Sequence, residues 1–139
     1  MRDINEVIEE REQLVTVCNA VNTGDHVPEG YDSCLDYWQE KSDLRLPNSC
    51  PARSDDHPRA HGFSNDNCVV GAHVIDLTNP DAPQVFITPI CKSCNSKKER
   101  LPNFSVKRKY LVPIPLKDSE FILSMKENQE QIKTYLQRI

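Results

Sequence analysis

The run Cys68-Val69-Val70-Gly71-Ala72-His73-Val74-Ile75-Asp76-Leu77, followed after a turn by Gln84-Val85-Phe86-Ile87-Thr88-Pro89-Ile90-Cys91-Lys92-Ser93-Cys94-Asn95, decides the fold. Both halves are rich in β-branched and apolar residues, the composition that fits a pleated, half-buried surface. The segment between them, Thr78-Asn79-Pro80-Asp81-Ala82-Pro83, is turn chemistry, so the two halves are predicted to pair as a β-hairpin. Cys91 and Cys94 come directly after the second strand with C-x-x-C spacing. Two thiolates so placed can bind one zinc ion at about 2.3 Å each, and a structural site closes its tetrahedron with two further sulfur or nitrogen ligands.

Those further ligands are expected upstream. Residues 48–67 are mostly Pro, Ser, Asp, Asn, His and Arg, which cannot build a core and read as an extended loop. Cys50 and Cys68 flank it, and holding both on one metal would close the loop at an entropic cost that grows only slowly with its length. The expected set is therefore Cys50, Cys68, Cys91 and Cys94, with His57 or His61 able to replace Cys50 or Cys68. Zinc binding would supply much of the folding free energy of a region with so little core. Of the other cysteines, Cys18 reads as a small buried hydrophobe and Cys34 as structural or free. The opening Met1-Arg2-Asp3-Ile4-Asn5-Glu6 carries neither a basic start nor an apolar block. A reducing, cytoplasmic setting is expected, in which six cysteines favour metal over disulfides.

The flanks read as helical. Ile4, Val7, Ile8, Leu14, Val15, Cys18 and Val21 recur at helical spacing, with Asp3 and Glu6 as a capping box and Gly24 as the stop. Residues 31–44 predict a short helix displaying Leu35, Tyr37 and Trp38, and 94–100 another. The last helix is expected over 117–139, capped by Asp118 or Ser119, with Ile122, Met125, Gln129, Ile132 and Leu136 on one face. The 139 residues, 37% hydrophobic and 27% charged, suit one core and are too polar for a membrane span. The predicted class is α+β: a helical acidic arm over 1–47, a zinc-stabilised ββα core over 48–110, and a helix packed on it over 111–139.

Charge is unevenly spread. The chain carries a net −4, yet residues 1–49 hold 4 basic and 11 acidic side chains, while residues 91–110 hold seven cations against Glu99 alone. Lys97, Lys98, Arg100, Lys107, Arg108 and Lys109 form a patch suited to a DNA or RNA backbone. The acidic arm could instead balance that patch, or engage a basic protein partner.

Ala72-His73-Val74-Ile75 and Ile87-Thr88-Pro89-Ile90-Cys91-Lys92-Ser93-Cys94-Asn95 resemble the HNH nucleases, the ββα-metal or His-Me finger group, in their cysteine-bound zinc form, over roughly residues 48–105. The resemblance implies a treble-clef-like core in which His73 is the general base and Asn95 a ligand of a catalytic magnesium or manganese ion distinct from the zinc. A strand-held imidazole can take a proton from water near neutral pH while a metal stabilises charge on the leaving oxygen. Two positions depart from the family. Ala72 stands where an acidic metal ligand is usual, and Asp76, three residues from His73 on a strand, points to the other face. Phe86 lies where the family's middle Asn is expected, and Asn79 is in the turn. The resemblance thus implies a phosphodiester-cleaving endonuclease, or a non-catalytic zinc module of the same fold that binds nucleic acid or a protein.

Overall fold

Val15, Thr16 and Val17 are three β-branched residues in succession, stiff at χ1 and poorly suited to a helix. They take the chain out of the long N-terminal helix expected over 4–21. The computed structural model describes residues 4–21, 23, 26–54, 61–78, 82–96 and 104–138. In order, these form α1 (Ile4–Glu12), β1 (Leu14–Asn19), α2 (Cys34–Ser42), β2 (Ser49–Cys50), β3 (His61–Gly62), β4 (Val69–Asp76) and β5 (Val85–Cys91). There follow α3 (Lys92–Asn95), β6 (Phe104–Lys107), a 3-10 turn at Arg108–Tyr110, β7 (Val112–Pro113), α4 (Leu116–Leu123) and α5 (Lys126–Arg138). The expected capping box and the Gly24 stop involve residues outside the described ones.

The predicted hairpin is the middle of the molecule. β4 and β5 pair antiparallel from Val69↔Cys91 to Ile75↔Val85. They sit in an antiparallel five-stranded sheet of order β6-β1-β4-β5-β7. Segments 1–47, 48–110 and 111–139 each contribute to that sheet or its packing, and the strand from the first segment lies between β6 and β4.

Alternation along the strands separates two buried clusters. One face packs Val15, Val17, Ala72, Val74, Ile90 and Val106 with Cys50, Cys91 and Cys94. The other packs Cys18, Ile75, Leu77, Val85 and Ile87 with Tyr37 and Trp38 of α2 and Ile122 of α4. Cys18 is buried as expected, and burial pushes its thiol up to about 12. Because both faces are covered, the strands read as nearly continuous apolar runs rather than as clean alternation.

α2 falls within the helix expected over 31–44. Ser33 caps it by accepting from the Asp36 N–H at 3.1 Å, and Asp43 ends it in a left-handed conformation at φ 58°. Tyr37 and Trp38 are buried, and they donate to the carbonyls of Pro113 and Tyr110, each at 2.8 Å. Gly71 lets α2 come this close to the sheet: a Cβ there would lie 2.7 Å from Cys34 Cβ and 3.0 Å from the Leu35 nitrogen.

The C-terminal helix is broken where one continuous helix was expected. α4 ends at Leu123 and α5 starts at Lys126, and Pro115 rather than Asp118 or Ser119 occupies the N-cap, with no side-chain capping bond. Buried Asn128 makes the corner: its Nδ2 donates to the Ile122 carbonyl at 2.9 Å and the Val21 carbonyl at 3.0 Å, and its Oδ1 accepts from the Val21 N–H at 2.7 Å. The break also divides the face expected to be shared, leaving Ile122 buried and Leu136 exposed.

Candidate metal centre and histidine cavity

Cys91 ends β5 and Cys94 lies in α3, so the turn of C-x-x-C brings both thiols to one point; the Cys91 sulfur caps that short helix, accepting from the Cys94 N–H at 3.4 Å. Across from them, the β2–β3 ladder sets Cys50 directly opposite His61. The ligand atoms of Cys50, His61, Cys91 and Cys94 all lie within 4.8 Å of one another. His61 Nε2 is 3.2 Å from Cys91 Sγ and 3.8 Å from Cys94 Sγ. Donors around a tetrahedral zinc are spaced by about 3.8 Å when the zinc–sulfur distance is about 2.3 Å. Three sulfurs and one imidazole at this spacing are a donor set able to hold a structural metal such as zinc.

Cys68, the expected fourth ligand, stands outside this group and is exposed. Its carbonyl accepts from the Lys92 N–H at 2.8 Å, which spends its backbone on closing the end of the hairpin. His61 takes the fourth place, as the histidine alternative allowed, while His57 lies outside the described residues. Within the cluster the thiols share protons unequally. The hydrogen bond with Cys94 holds Cys50 below the usual thiol range, and the same bond pushes Cys94 up. Buried thiolate character of this kind suits metal ligation.

His73 belongs to the opposite side of the sheet. It is buried on the face that meets α2, its carbonyl accepts from the Ala20 N–H at 2.9 Å, and its partner across the hairpin is Ile87. The imidazole borders a cavity of about 560 Å³, which Asn95, His26, Asp32 and Cys34 also line. His73 and Asn95, set apart by sequence reasoning as base and metal ligand, thus meet at one cavity. Cys34 Sγ is 3.9 Å from His73 Nε2, and the His26 and His73 rings lie 5.3 Å apart. Burial pushes the Cys34 thiol up to about 11, and it donates to the His26 carbonyl at 3.2 Å, so it is a neutral neighbour and not a thiolate nucleophile. His26 Nε2 lies 3.7 Å from Asp118 Oδ2, which gives this side of the molecule a carboxylate from α4.

Ala72 faces the other way, into the apolar cluster with Val15, Val17 and Val74. A carboxylate there would be buried without a partner, a cost of several kcal/mol. Asp32 is the carboxylate lining the His73 cavity. Among the described residues no second group of three close His, Cys, Asp or Glu ligands exists.

The basic patch divides. Lys97, Lys98 and Arg100 lie outside the described residues. Lys107 and Lys109 both reach Glu12 of the acidic N-terminal segment, at 2.6 and 2.7 Å, and these hydrogen bonds, Lys107 first, hold its carboxyl at about 2. Arg108 follows Lys107 into the 3-10 turn, its N–H donating to the Gln13 carbonyl at 2.8 Å. At this segment the acidic part of the chain engages its own basic residues. Sequence reasoning missed His26, Asp32, Cys34 and Asp118 at the cavity side; Gly71, whose missing side chain makes room for α2, was a signal for Cys34 alone. Among the described residues, no helix is long and apolar enough to cross a membrane. No family model, curated protein or solved structure matches the chain.

Proposed function

We propose that this chain is a zinc-stabilised, HNH-like protein that acts on nucleic acid, cleaving phosphodiester bonds at the His73 cavity. The observation that carries the reading is the meeting of His73 and Asn95 at one cavity, on the sheet face opposite the Cys50, His61, Cys91 and Cys94 cluster. The division of labour is physically consistent: the cluster anchors the β2–β3 ladder and the end of the hairpin, and the central strand holds the histidine. His73 would accept a proton from the attacking water, and Cys34 and His26 would limit the positions its ring can take. A divalent ion, when bound, would stabilise the charge that develops on the leaving oxygen.

The second reading, a zinc module that binds nucleic acid without cleaving it, is favoured by one feature, the apolar burial of Ala72 where the family carries a carboxylate. Supercoiled plasmid and a structured RNA, incubated with zinc-replete protein and either magnesium or manganese, separate the two. The enzyme reading expects nicking that needs the added ion and is lost in Asn95→Ala. Clean protein that binds either polymer and cleaves neither leaves the binding module.

A further inference from the structure

We infer that a second cavity, at the far end of the sheet from His73, seats an unpaired nucleotide of the bound strand; the inference rests on the nucleic-acid reading above. Arg45, Arg53 and Lys107, from three separate segments, line this cavity of about 500 Å³, and no carboxylate lines it. In a chain of net charge −4, that lining selects an anion. Arg53 is held in place: its Nη1 donates to the Cys50 and Ala52 carbonyls, each at 3.1 Å, and its backbone exchanges two hydrogen bonds with Ser105. The cationic rim is thereby tied to a residue of the metal cluster.

The remaining wall is apolar and narrows the choice of anion. Leu14, which is 54% exposed, Pro47 and Tyr110 line it beside the cations. A free phosphate would satisfy the cations and leave this wall in water. A nucleotide uses both, with phosphate on Arg and Lys and the base against the apolar side. A paired base is already stacked within its duplex and does not offer itself to such a recess, so the occupant is single-stranded. Leu14 begins β1, and Asn19 at its other end pairs with Val74 beside His73. At a rise of about 3.4 Å per residue, the two cavities stand roughly 17 Å apart along the strand. The seat therefore grips the polymer away from the bond that reacts.

One contact makes the proposal sharp. Glu12 reaches Lys107 from outside the cavity, at 2.6 Å, and so competes with any phosphate for that ammonium. Removing the carboxylate should tighten binding, an effect that a purely structural role for Lys107 does not predict.

The test is fluorescence anisotropy of a labelled single-stranded DNA, and of its duplex, titrated with the zinc-loaded full chain across a salt series. Arg45 is exposed, so Arg45→Ala should fold; it is expected to weaken single-strand binding several-fold and to lower the salt slope by about 0.7, the share of one phosphate. Glu12→Gln is expected to strengthen binding at low salt. Unchanged affinity and slope in Arg45→Ala, preference for the duplex, or displacement by inorganic phosphate as effective as by a mononucleotide would each overturn the seat. Plasmid cleavage that survives with binding indifferent to Arg45 removes the seat alone. Arg45-dependent binding without cleavage supports the seat and removes only the nuclease reading.

Discussion

Gly71 shows how one residue sets the geometry of the histidine cavity. With Cys34 Cβ 2.7 Å from where its own Cβ would stand, Gly71→Ala must push α2 off the sheet. The expected cost is about 1–3 kcal/mol, the range for overpacking, read as a shift in the denaturant midpoint at constant slope. The same scale distinguishes the fourth donor of the candidate metal cluster. Cys68→Ser is expected to leave zinc affinity unchanged, because that thiol stands outside the cluster. His61→Ala should lower it by more than about 10-fold, since even partners behind a ligand cost that much. Competition with a chromophoric chelator measures both, and equal loss in the two variants would contradict the assignment. The C-x-x-C pair was legible because its spacing survives as a sequence pattern, whereas loop-flanking position singled out Cys50 and Cys68 alike and did not separate them. The choice of His61 over Cys68 was not legible, because it depends on the Cys50↔His61 pairing of a ladder only two residues long.

At the scale of elements, the hairpin was legible because its composition and its turn chemistry point the same way. β1 was not, because Ile4, Val7 and Ile8 extend a helical period across Gln13, and only the β-branched run after it signals the change. The α4–α5 corner was hidden for a different reason: it is made by Asn128, whose partner Val21 is distant in sequence. Asn128→Ala leaves the Val21 N–H and two carbonyls without these bonds in a buried site, and should cost about 1–3 kcal/mol in chemical denaturation. A cost near zero would mean that the corner is held by apolar packing alone. α1 is held differently. The Glu12 carboxyl is lowered in the folded protein to about 2, so its ion pairs with Lys107 and Lys109 are fully formed above the ordinary carboxylate range and are lost as pH falls toward 2. Because the group is exposed, salt should weaken the same contact. Amide exchange at Arg108, which donates to the Gln13 carbonyl, is expected to speed up, relative to its intrinsic rate, on acidification and on raising salt.

For the whole molecule, the metal cluster and the histidine cavity lie on opposite faces of one sheet, joined by β4, β5 and α3. Asn19 ties them further: its Nδ2 donates to the Cys94 carbonyl at 2.8 Å from the end of the strand beside His73. Stripping the metal should therefore lower thermal stability of the entire sheet, not just of the β2–β3 ladder, and acid should do the same as protons displace metal from thiolates. This two-faced plan was beyond the sequence, where burial on both sides erases the alternation that would reveal which residues share a face. On the proposed reading, zinc at the Cys50, His61, Cys91 and Cys94 cluster organises the scaffold, and His73 is the base that takes a proton from water. The most direct measurement is phosphodiester cleavage by His73→Ala, assayed beside its zinc content. The expected result is one zinc per chain, an unchanged circular dichroism spectrum and cleavage reduced by about 10²–10⁴-fold, the contribution of a general base. Wild-type cleavage rates in a folded, zinc-loaded His73→Ala protein would contradict it.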